Sequence, residues 1–125
     1  MDQKIRESIG SAKWFLTVLF EDTHPKGTSG NLYGALLKEE FKEWCAEKEG
    51  TPEDFKELCD VLWCCFMYAI EQNYPLEDGM AELTREYESK FRDAEGNYKP
   101  IFREDGKLLK GSGFKKADFT KFFKK

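Results

Sequence analysis

A thirteen-residue segment from Leu58 to Ile70, LCDVLWCCFMYAI, constrains the fold more than any other part of the chain. Asp60 is its only charged residue, and a helix over this segment would be apolar on nearly all sides. Such a helix must be buried on most of them. An ionised aspartate there is costly to desolvate unless a cation or a hydrogen-bond donor compensates it. We expect that compensating cation to come from outside this helix.

The 3.6-residue period of the apolar side chains predicts an all-α fold, a four-helix bundle with a small C-terminal β-hairpin and tail. The predicted helices cover residues 3–20, 32–48, 52–71 and 76 to 91 or 92. Gly50 is expected to stop the second helix. Thr51 is expected to cap the third, with Pro52 at its first position and Asp54 completing a capping box.

The sequence pattern changes after residue 92, which divides the chain into a helical domain, 1–92, and a hairpin with a basic tail, 93–125, packed on the same domain. Two short runs with aromatic and aliphatic residues, 97–102 and 107–110, lie on either side of an Asp-Gly pair at 105–106, and they predict the two strands of the hairpin. The Gly-Ser-Gly segment at 111–113 is expected to release a terminus rich in Lys and Phe. We find no internal repeat in the sequence.

The charge of −4 is unevenly distributed. Residues 1–90 carry 10 basic and 19 acidic side chains, a net charge of −9, whereas residues 91–125 carry 10 basic and 5 acidic side chains, a net charge of +5. A nucleic-acid binder acting through the basic tail is therefore one hypothesis. The acidic remainder would repel phosphate, and no known nucleic-acid-binding motif is present, so this hypothesis is disfavoured.

Several classes of protein are excluded or disfavoured. The single histidine, His24, excludes paired-histidine metal sites, HExxH hydrolases and di-iron bundles with two ExxH helices. The longest uncharged run, residues 61–70, is half of the ~20 residues that a membrane-spanning helix needs. The apolar stretch 14–20 is flanked by acidic residues and is not followed by a small-residue cleavage site, so it does not predict a signal peptide.

The four cysteines indicate a reducing compartment. They lie inside apolar helical patterns, without a CxxC pair or a nearby histidine that would complete a zinc site. We interpret them as reduced core residues and expect a cytoplasmic protein. These residues are Cys45, Cys59, Cys64 and Cys65.

Two pairs of carboxylates lie on either side of the predicted turn. Glu40 and Glu43 share a face of the second helix, and Glu57 and Asp60 share a face of the third, because residues three apart on a helix are neighbours. If the helices are antiparallel about Gly50, Glu43 and Glu57 are each seven residues from that pivot, and Glu40 and Asp60 are each ten. The four carboxylates would then form a compact group between the helices.

Clustered carboxylates without histidine or thiolate are hard oxygen ligands, which suit Mg²⁺, or Mn²⁺ as a substitute. Mg²⁺ commonly shares its coordination with substrate phosphates, so the pattern indicates nucleotide chemistry. The alternative is a non-catalytic helical interaction or regulatory protein, whose carboxylates only line a helix seam or bind a structural cation.

The segments EEFKE at 39–43 and ELCD at 57–60 resemble the EExxE…ExxD signature of the MazG-like, all-α nucleoside triphosphate pyrophosphohydrolases. The resemblance covers about residues 32–114. The segment 105–114 resembles the DGKxLKG tail of several bacteriophage members, and the expected location is the host cytoplasm if a phage encodes the chain. Tyr87 stands where the family often has Asn. Further similar segments are NYPLEDGM at 73–80, SKF at 89–91 and DGKLLKGSGF at 105–114.

The resemblance implies a Mg²⁺-dependent enzyme that cleaves a nucleoside or deoxynucleoside triphosphate to the monophosphate and pyrophosphate. It implies that Glu40, Glu43, Glu57 and Asp60 are the metal ligands. Glu39 lies about 100° around the helix from Glu40 and is our candidate for holding or deprotonating the attacking water, with a solvated carboxylate as the alternative.

Substrate contacts are predicted from residues further along the chain. Each lysine that could contact a phosphate has an ordinary surface role as the alternative: it lies favourably at a helix C-terminus, or its ammonium is simply solvated. Aromatic residues that could stack on a base compete with core packing in the same way. The phosphate candidates are Lys90, Lys107 and Lys110, and the stacking candidates are Tyr87, Trp44 and Trp63.

The apolar circumference of the third predicted helix needs more cover than one small four-helix chain offers. We therefore expect a homo-oligomer, a dimer or a tetramer, with active sites near its interface. A nucleoside triphosphate is the expected substrate, and no membrane partner is expected.

Overall fold

The structure is a computed structural model, which describes residues 3–4, 6–11, 14 and 32–123. The described chain is mostly helical and contains no strand, which confirms the all-α class. Its helices are α1 (Leu32–Cys45), α2 (Pro52–Glu71), α3 (Leu76–Ser89) and a short 3-10 helix (Thr120–Phe123). The described positions before residue 15 are also helical. The predicted loop 21–31, with His24, lies outside the described residues.

The chain divides into two compact units, Met1–Tyr74 and Pro75–Lys125. In the first unit, α1 and α2 pack against each other, and the buried apolar side chains belong to these two helices. α2 is less enclosed than we expected, because Leu58 and Leu62 remain about half exposed. The buried side chains are Tyr33, Cys64, Phe66, Met67 and Ala69.

The cysteine prediction is confirmed only in part. All four thiols are free. Cys64 lies in the core, but Cys45 and Cys59 are exposed. Cys45 is the last residue of α1, and Cys59 lies on the same face of α2 as the exposed Leu62, so neither side chain faces the α1–α2 contact.

The turn between α1 and α2 is built as the sequence predicts, apart from one hydrogen bond. Gly50 has a φ of 78°, a left-handed conformation that suits glycine. The Thr51 hydroxyl accepts a hydrogen bond from the Asp54 N–H at 3.2 Å, which caps α2. The Asp54 carboxylate accepts from the Gly50 N–H at 3.1 Å, one residue before the position that a standard capping box uses.

The far end of the α1–α2 pair is joined by a second contact. The Tyr33 N–H, in the first turn of α1, donates to both carboxylate oxygens of Glu71, at 3.3 and 3.4 Å. α1 has no acidic residue in its own first turn, so the Glu71 carboxylate at the end of α2 supplies the negative charge that a helix N-terminus favours. Because the start of α1 meets the end of α2, the two helices are antiparallel. The Gly34 backbone packs against the Tyr68 ring, because a Cβ on Gly34 would lie 3.2 Å from that ring.

The second unit contains an internal repeat that the sequence analysis missed. Two tight turns, ten residues apart, have the same hydrogen bonds, and each contains a glycine with positive φ. In each turn an N–H donates to the carbonyl four residues later, at 2.9 Å in the first and 2.7 Å in the second. The donors and acceptors are Asp93 with Asn97 and Arg103 with Lys107, and the glycines are Gly96 (84°) and Gly106 (91°).

The predicted hairpin is reduced to these turns, each with one isolated antiparallel bridge. Residues 97–99, which were assigned to the first strand, pair instead with the segment before them: Tyr98 bridges to Arg92. The Phe102–Leu108 bridge flanks the Asp-Gly turn at the predicted place. Pro100 between the two turns has no N–H, so it cannot extend a ladder.

The C-terminal tail is held along α3 and is not released after residue 113. Three acceptors on one face of α3 bind consecutive parts of the tail, an arrangement that we call the tail clasp. Its hydrogen bonds run from the Lys115 N–H to Ser89 Oγ (2.9 Å), from the Ala117 N–H to Glu86 Oε1 (3.0 Å) and from the Asp118 N–H to Glu82 Oε2 (3.5 Å).

Glu82 is the carboxylate of the tail clasp that forms ion pairs. It is buried and accepts from Lys121 at 2.8 Å and from Arg85 at 2.5 Å. These two hydrogen bonds lower the pKa of Glu82 to about 2, so the carboxylate remains ionised at neutral pH. Two carboxylates of α3 thus bind the basic tail. Part of the negative charge of residues 1–90 is therefore paired with the positive charge of residues 91–125.

We predict that Gly113→Ala disrupts the tail clasp. A Cβ at Gly113 would lie 2.2 Å from the Asp93 carbonyl oxygen and 2.9 Å from that of Arg92, so the backbone must shift. We expect a loss of about 1–3 kcal/mol in the free energy of unfolding, measured by chemical denaturation. Amide hydrogen exchange should also become faster over residues 111–118 than in the wild type.

Gly10→Ala is the control, because a Cβ there meets nothing within 4 Å. Wild-type exchange rates over residues 111–118 in Gly113→Ala would contradict the close packing of this segment.

Candidate metal centre

Three carboxylates converge between α1 and α2. One oxygen from each of Glu40, Glu57 and Asp60 lies within 4.8 Å of the other two. Glu57 and Asp60 are neighbours because they lie about one turn apart on α2. Glu40 faces them from α1 because the two helices are antiparallel about the turn at Gly50. We call these three residues the acidic cluster.

The acidic cluster is partly removed from water. The Glu57 side chain is 16% exposed and that of Asp60 is 35% exposed. Glu40 Oε2 and Glu57 Oε2 are buried and have no hydrogen-bond partner among the described residues. Buried oxygens without a donor are unusual in folded proteins, and each one needs an explanation, such as a bound ion or water.

Burial and the close approach of the carboxylates disfavour the ionisation of Glu40. The pKa of Glu40 is raised to about 7, first by burial and then by the negative charge of Glu43, with further contributions from its contacts with Glu43, Asp60 and Glu57. Two carboxylates that share a site cannot both ionise easily, because their charges repel each other. The metal-free site therefore tends to retain a proton on Glu40 near neutral pH.

The structure brings three of the four predicted metal ligands together. Glu43 contacts Glu40 but lies outside the group of three oxygens. From the ten-residue distances to Gly50 we expected Glu40 to face Asp60 alone. In the structure, Glu40 approaches the carboxylates of both Glu57 and Asp60. Glu39, the candidate for activating water, is exposed on α1.

The expectation that the cation near Asp60 comes from outside α2 is wrong. Lys56, four residues earlier on α2, forms an ion pair and a hydrogen bond with Asp60, and its ammonium lies 3.8 Å from Glu57 Oε1. The i, i+4 spacing of an opposite-charge pair was the signal that could have revealed this contact. One ammonium does not balance three carboxylates, and the buried oxygens of Glu40 and Glu57 remain without a donor.

Cys64 lies near the acidic cluster, one turn after Asp60. The thiol is buried, and its pKa is raised to about 11, first by burial and then by the charges of Glu40 and Asp60. It is therefore protonated at neutral pH and unsuited to binding a metal as a thiolate. Trp44, four residues after Glu40, has a buried Nε1 without a hydrogen-bond partner among the described residues. The atoms at this site that could bind a metal ion are therefore carboxylate oxygens.

Of the predicted substrate-contact residues, Tyr87 and the three lysines belong to the second unit, whereas Trp44 and Trp63 belong to the first. The Lys90 ammonium lies 4.5 Å from the centre of the Tyr87 ring, so these two predicted residues contact each other. The Lys110 ammonium lies 4.7 Å from the centre of the Phe114 ring. Lys107 is exposed, and its backbone N–H donates to Asp105 at 3.2 Å.

Similarity to known proteins does not identify the site. No protein-family model, curated protein or solved structure matches the chain. Among the described residues, no helix combines the length and the apolar character that crossing a bilayer requires. The acidic cluster and its sequence motifs are therefore the features of this chain that indicate a function.

We predict that the stability of the metal-free chain falls as the pH rises from about 4.5 to about 7. The folded chain holds a proton on Glu40 with a pKa of about 7, whereas the unfolded chain releases it near 4.5, so folding binds a proton in this window. Urea denaturation with a chelator should give a smaller free energy of unfolding at pH 7.5 than at pH 5. Glu40→Gln should reduce this difference, because the variant cannot take up the proton.

Glu49→Gln is the control, since Glu49 is an exposed carboxylate in the turn after α1. An equal pH dependence in the wild type and in Glu40→Gln would show that the acidic cluster is not under electrostatic strain.

Proposed function

We propose that this chain is a Mg²⁺-dependent nucleoside triphosphate pyrophosphohydrolase of the MazG-like kind, which converts a nucleoside or deoxynucleoside triphosphate to the monophosphate and pyrophosphate. The observation that carries the proposal is the acidic cluster, with its two buried oxygens that have no donor. The EExxE and ExxD motifs contain all three of its residues. Mn²⁺ is expected to substitute for Mg²⁺.

The residues of the cluster fit a hard divalent cation. Their ligand atoms are all carboxylate oxygens, and the nearest thiol, Cys64, is protonated at neutral pH. Glu40, Glu57 and Asp60 would hold the ion, with Glu43 beside Glu40 as the fourth proposed ligand. When bound, Mg²⁺ neutralises the triphosphate and stabilises the charge that develops as the phosphoanhydride breaks.

The side chains of the protein supply the remaining parts of the reaction. Glu39 is exposed beside the cluster, and we assign it to orienting a water molecule and accepting its proton. The water oxygen forms a bond to the α-phosphorus, and the bond from that phosphorus to the bridging oxygen breaks. The electron pair leaves with the pyrophosphate. We assign Lys90, Tyr87, Lys107 and Lys110 to contacts with the substrate.

We predict that Glu57→Gln and Asp60→Asn abolish turnover without unfolding the chain. Each change removes the negative charge of one proposed ligand and preserves the shape of the side chain. Pyrophosphate release should be measured with Mg²⁺ across all common and modified nucleoside triphosphates, and should fall by more than about 100-fold for every substrate that the wild type cleaves. Circular dichroism checks that the variants remain folded.

Glu49→Gln should retain wild-type activity in the same assay. A wild-type chain that turns over none of the triphosphates would favour the non-catalytic helical interaction protein. Salt-sensitive DNA binding that is lost on removal of residues 115–125 would favour a nucleic-acid binder instead.

We also propose that the enzyme is a homo-oligomer. Three large apolar side chains share one face of α2 at helical spacing and are exposed: Phe55 (69%), Leu58 (49%) and Leu62 (50%). Burying such a face is favourable in proportion to its apolar area. The face lies on the helix that carries Glu57 and Asp60, so an interface there would bring a second copy near the active site.

We predict that the wild type is larger than one chain of 14.6 kDa at micromolar concentration, as measured by light scattering. Leu58→Glu combined with Leu62→Glu should give the monomeric mass, because it places two charges on the apolar face. Ile101→Glu, at an exposed position of the second unit, is the control and should leave the mass unchanged. A monomeric wild type would contradict the oligomer.

A further inference from the structure

Lys56 is the one cation in contact with the acidic cluster among the described residues. Its ammonium pairs with Asp60 and lies 3.8 Å from Glu57 Oε1. Its pKa is raised, first by the hydrogen bond to Asp60 and then by the charges of Asp60, Glu57 and Glu40. The ammonium therefore responds to carboxylates from both α1 and α2, although its backbone belongs to α2 alone.

The Lys56 side chain is anchored weakly and is free to change partner. It is 69% exposed, whereas the carboxylates that it contacts are 16% and 35% exposed. Exposed ion pairs contribute little to stability, so the cost of breaking this one is small. A lysine ammonium on a flexible four-carbon stem also has no fixed direction in which it must donate.

A divalent cation and the Lys56 ammonium compete for the same oxygens. Both require the carboxylates of Asp60 and Glu57, and their like charges repel each other. A triphosphate brings new anionic oxygens to the place from which the ammonium is displaced. A phosphate oxygen that shares the cation with Asp60 comes within reach of a side chain that already reaches Asp60.

We propose that Lys56 is a substrate-binding residue that changes partner: it neutralises Asp60 and Glu57 before the metal binds, and afterwards donates to a phosphate oxygen of the nucleoside triphosphate. This inference rests on the proposed function. Lys56 thereby joins Lys90, Lys107 and Lys110 as a proposed contact to the phosphates.

If Lys56 changes partner in this way, removing its ammonium should raise the affinity for divalent cations and lower the affinity for a triphosphate. Lys56→Met keeps most of the apolar stem but loses the charge. Without the competing ammonium, divalent cations should bind more tightly. Without the phosphate contact, a triphosphate should bind more weakly in the presence of the same cation. A lysine that served only as a surface ion pair would produce the first effect without the second.

The test is a pair of calorimetric titrations on the full chain. The first uses Mn²⁺ alone, and Lys56→Met should bind it at least about 3-fold more tightly than the wild type. The second uses a non-hydrolysable α,β-methylene deoxynucleoside triphosphate at saturating Mn²⁺, and Lys56→Met should bind it about 10-fold more weakly. Lys56→Arg retains the charge and should bind the analogue more tightly than Lys56→Met does.

Lys48→Met is the matched control. Lys48 is exposed in the turn between α1 and α2, and both affinities should remain at wild-type values. Unchanged analogue binding in Lys56→Met, with Mn²⁺ still bound by both proteins, would overturn the role of Lys56 and leave the pyrophosphohydrolase proposal intact. Unchanged Mn²⁺ affinity would overturn the exchange of partners. A wild type that binds no Mn²⁺ would overturn the metal centre and this inference together.

Discussion

Mutual repulsion of carboxylates between α1 and α2 is the main constraint on the packing of the first unit. Glu40, Glu57 and Asp60 approach within 4.8 Å, and burial removes much of the water that would screen them. The structure reduces this repulsion in two ways: Lys56 pairs with the carboxylates of α2, and Glu40 has a pKa of about 7. The Lys56 ammonium does not donate to the buried oxygens of Glu40 and Glu57, and the cluster could hold a divalent cation.

Repelling groups stay together because the helices that carry them are joined at both ends. The Thr51 cap fixes the start of α2, and Glu71 binds the first turn of α1 through the Tyr33 N–H. Beside the second of these contacts, the Gly34 backbone packs against the Tyr68 ring. In the second unit, by contrast, acidic side chains of α3 bind backbone N–H groups and Lys121 of the tail. Two oxygens of the acidic cluster therefore lack a donor, whereas the α3 carboxylates of the tail clasp have donors.

Much of this arrangement could be predicted from local sequence signals. The bounds of α2, the Thr51 cap and three members of the carboxylate group follow from helical periodicity and turn chemistry, which act over a few residues. The predicted ends of α1 and α3 extend beyond Cys45 and Ser89, where the backbone continues in turns whose N–H groups donate three residues back, as Glu47 does to Trp44 and Lys90 to Tyr87. The paired turns were missed because their side chains differ, although their backbones repeat.

The sequence by itself determined the helical class, the position of the turn at Gly50 and the presence of acidic residues at matching distances from it. These features depend on side-chain chemistry and on spacing along the chain. Only the tertiary structure decided which carboxylate oxygens meet and which of them lack a donor. Those outcomes depend on the rotation of each helix about its axis and on burial, which are set by packing between segments distant in sequence.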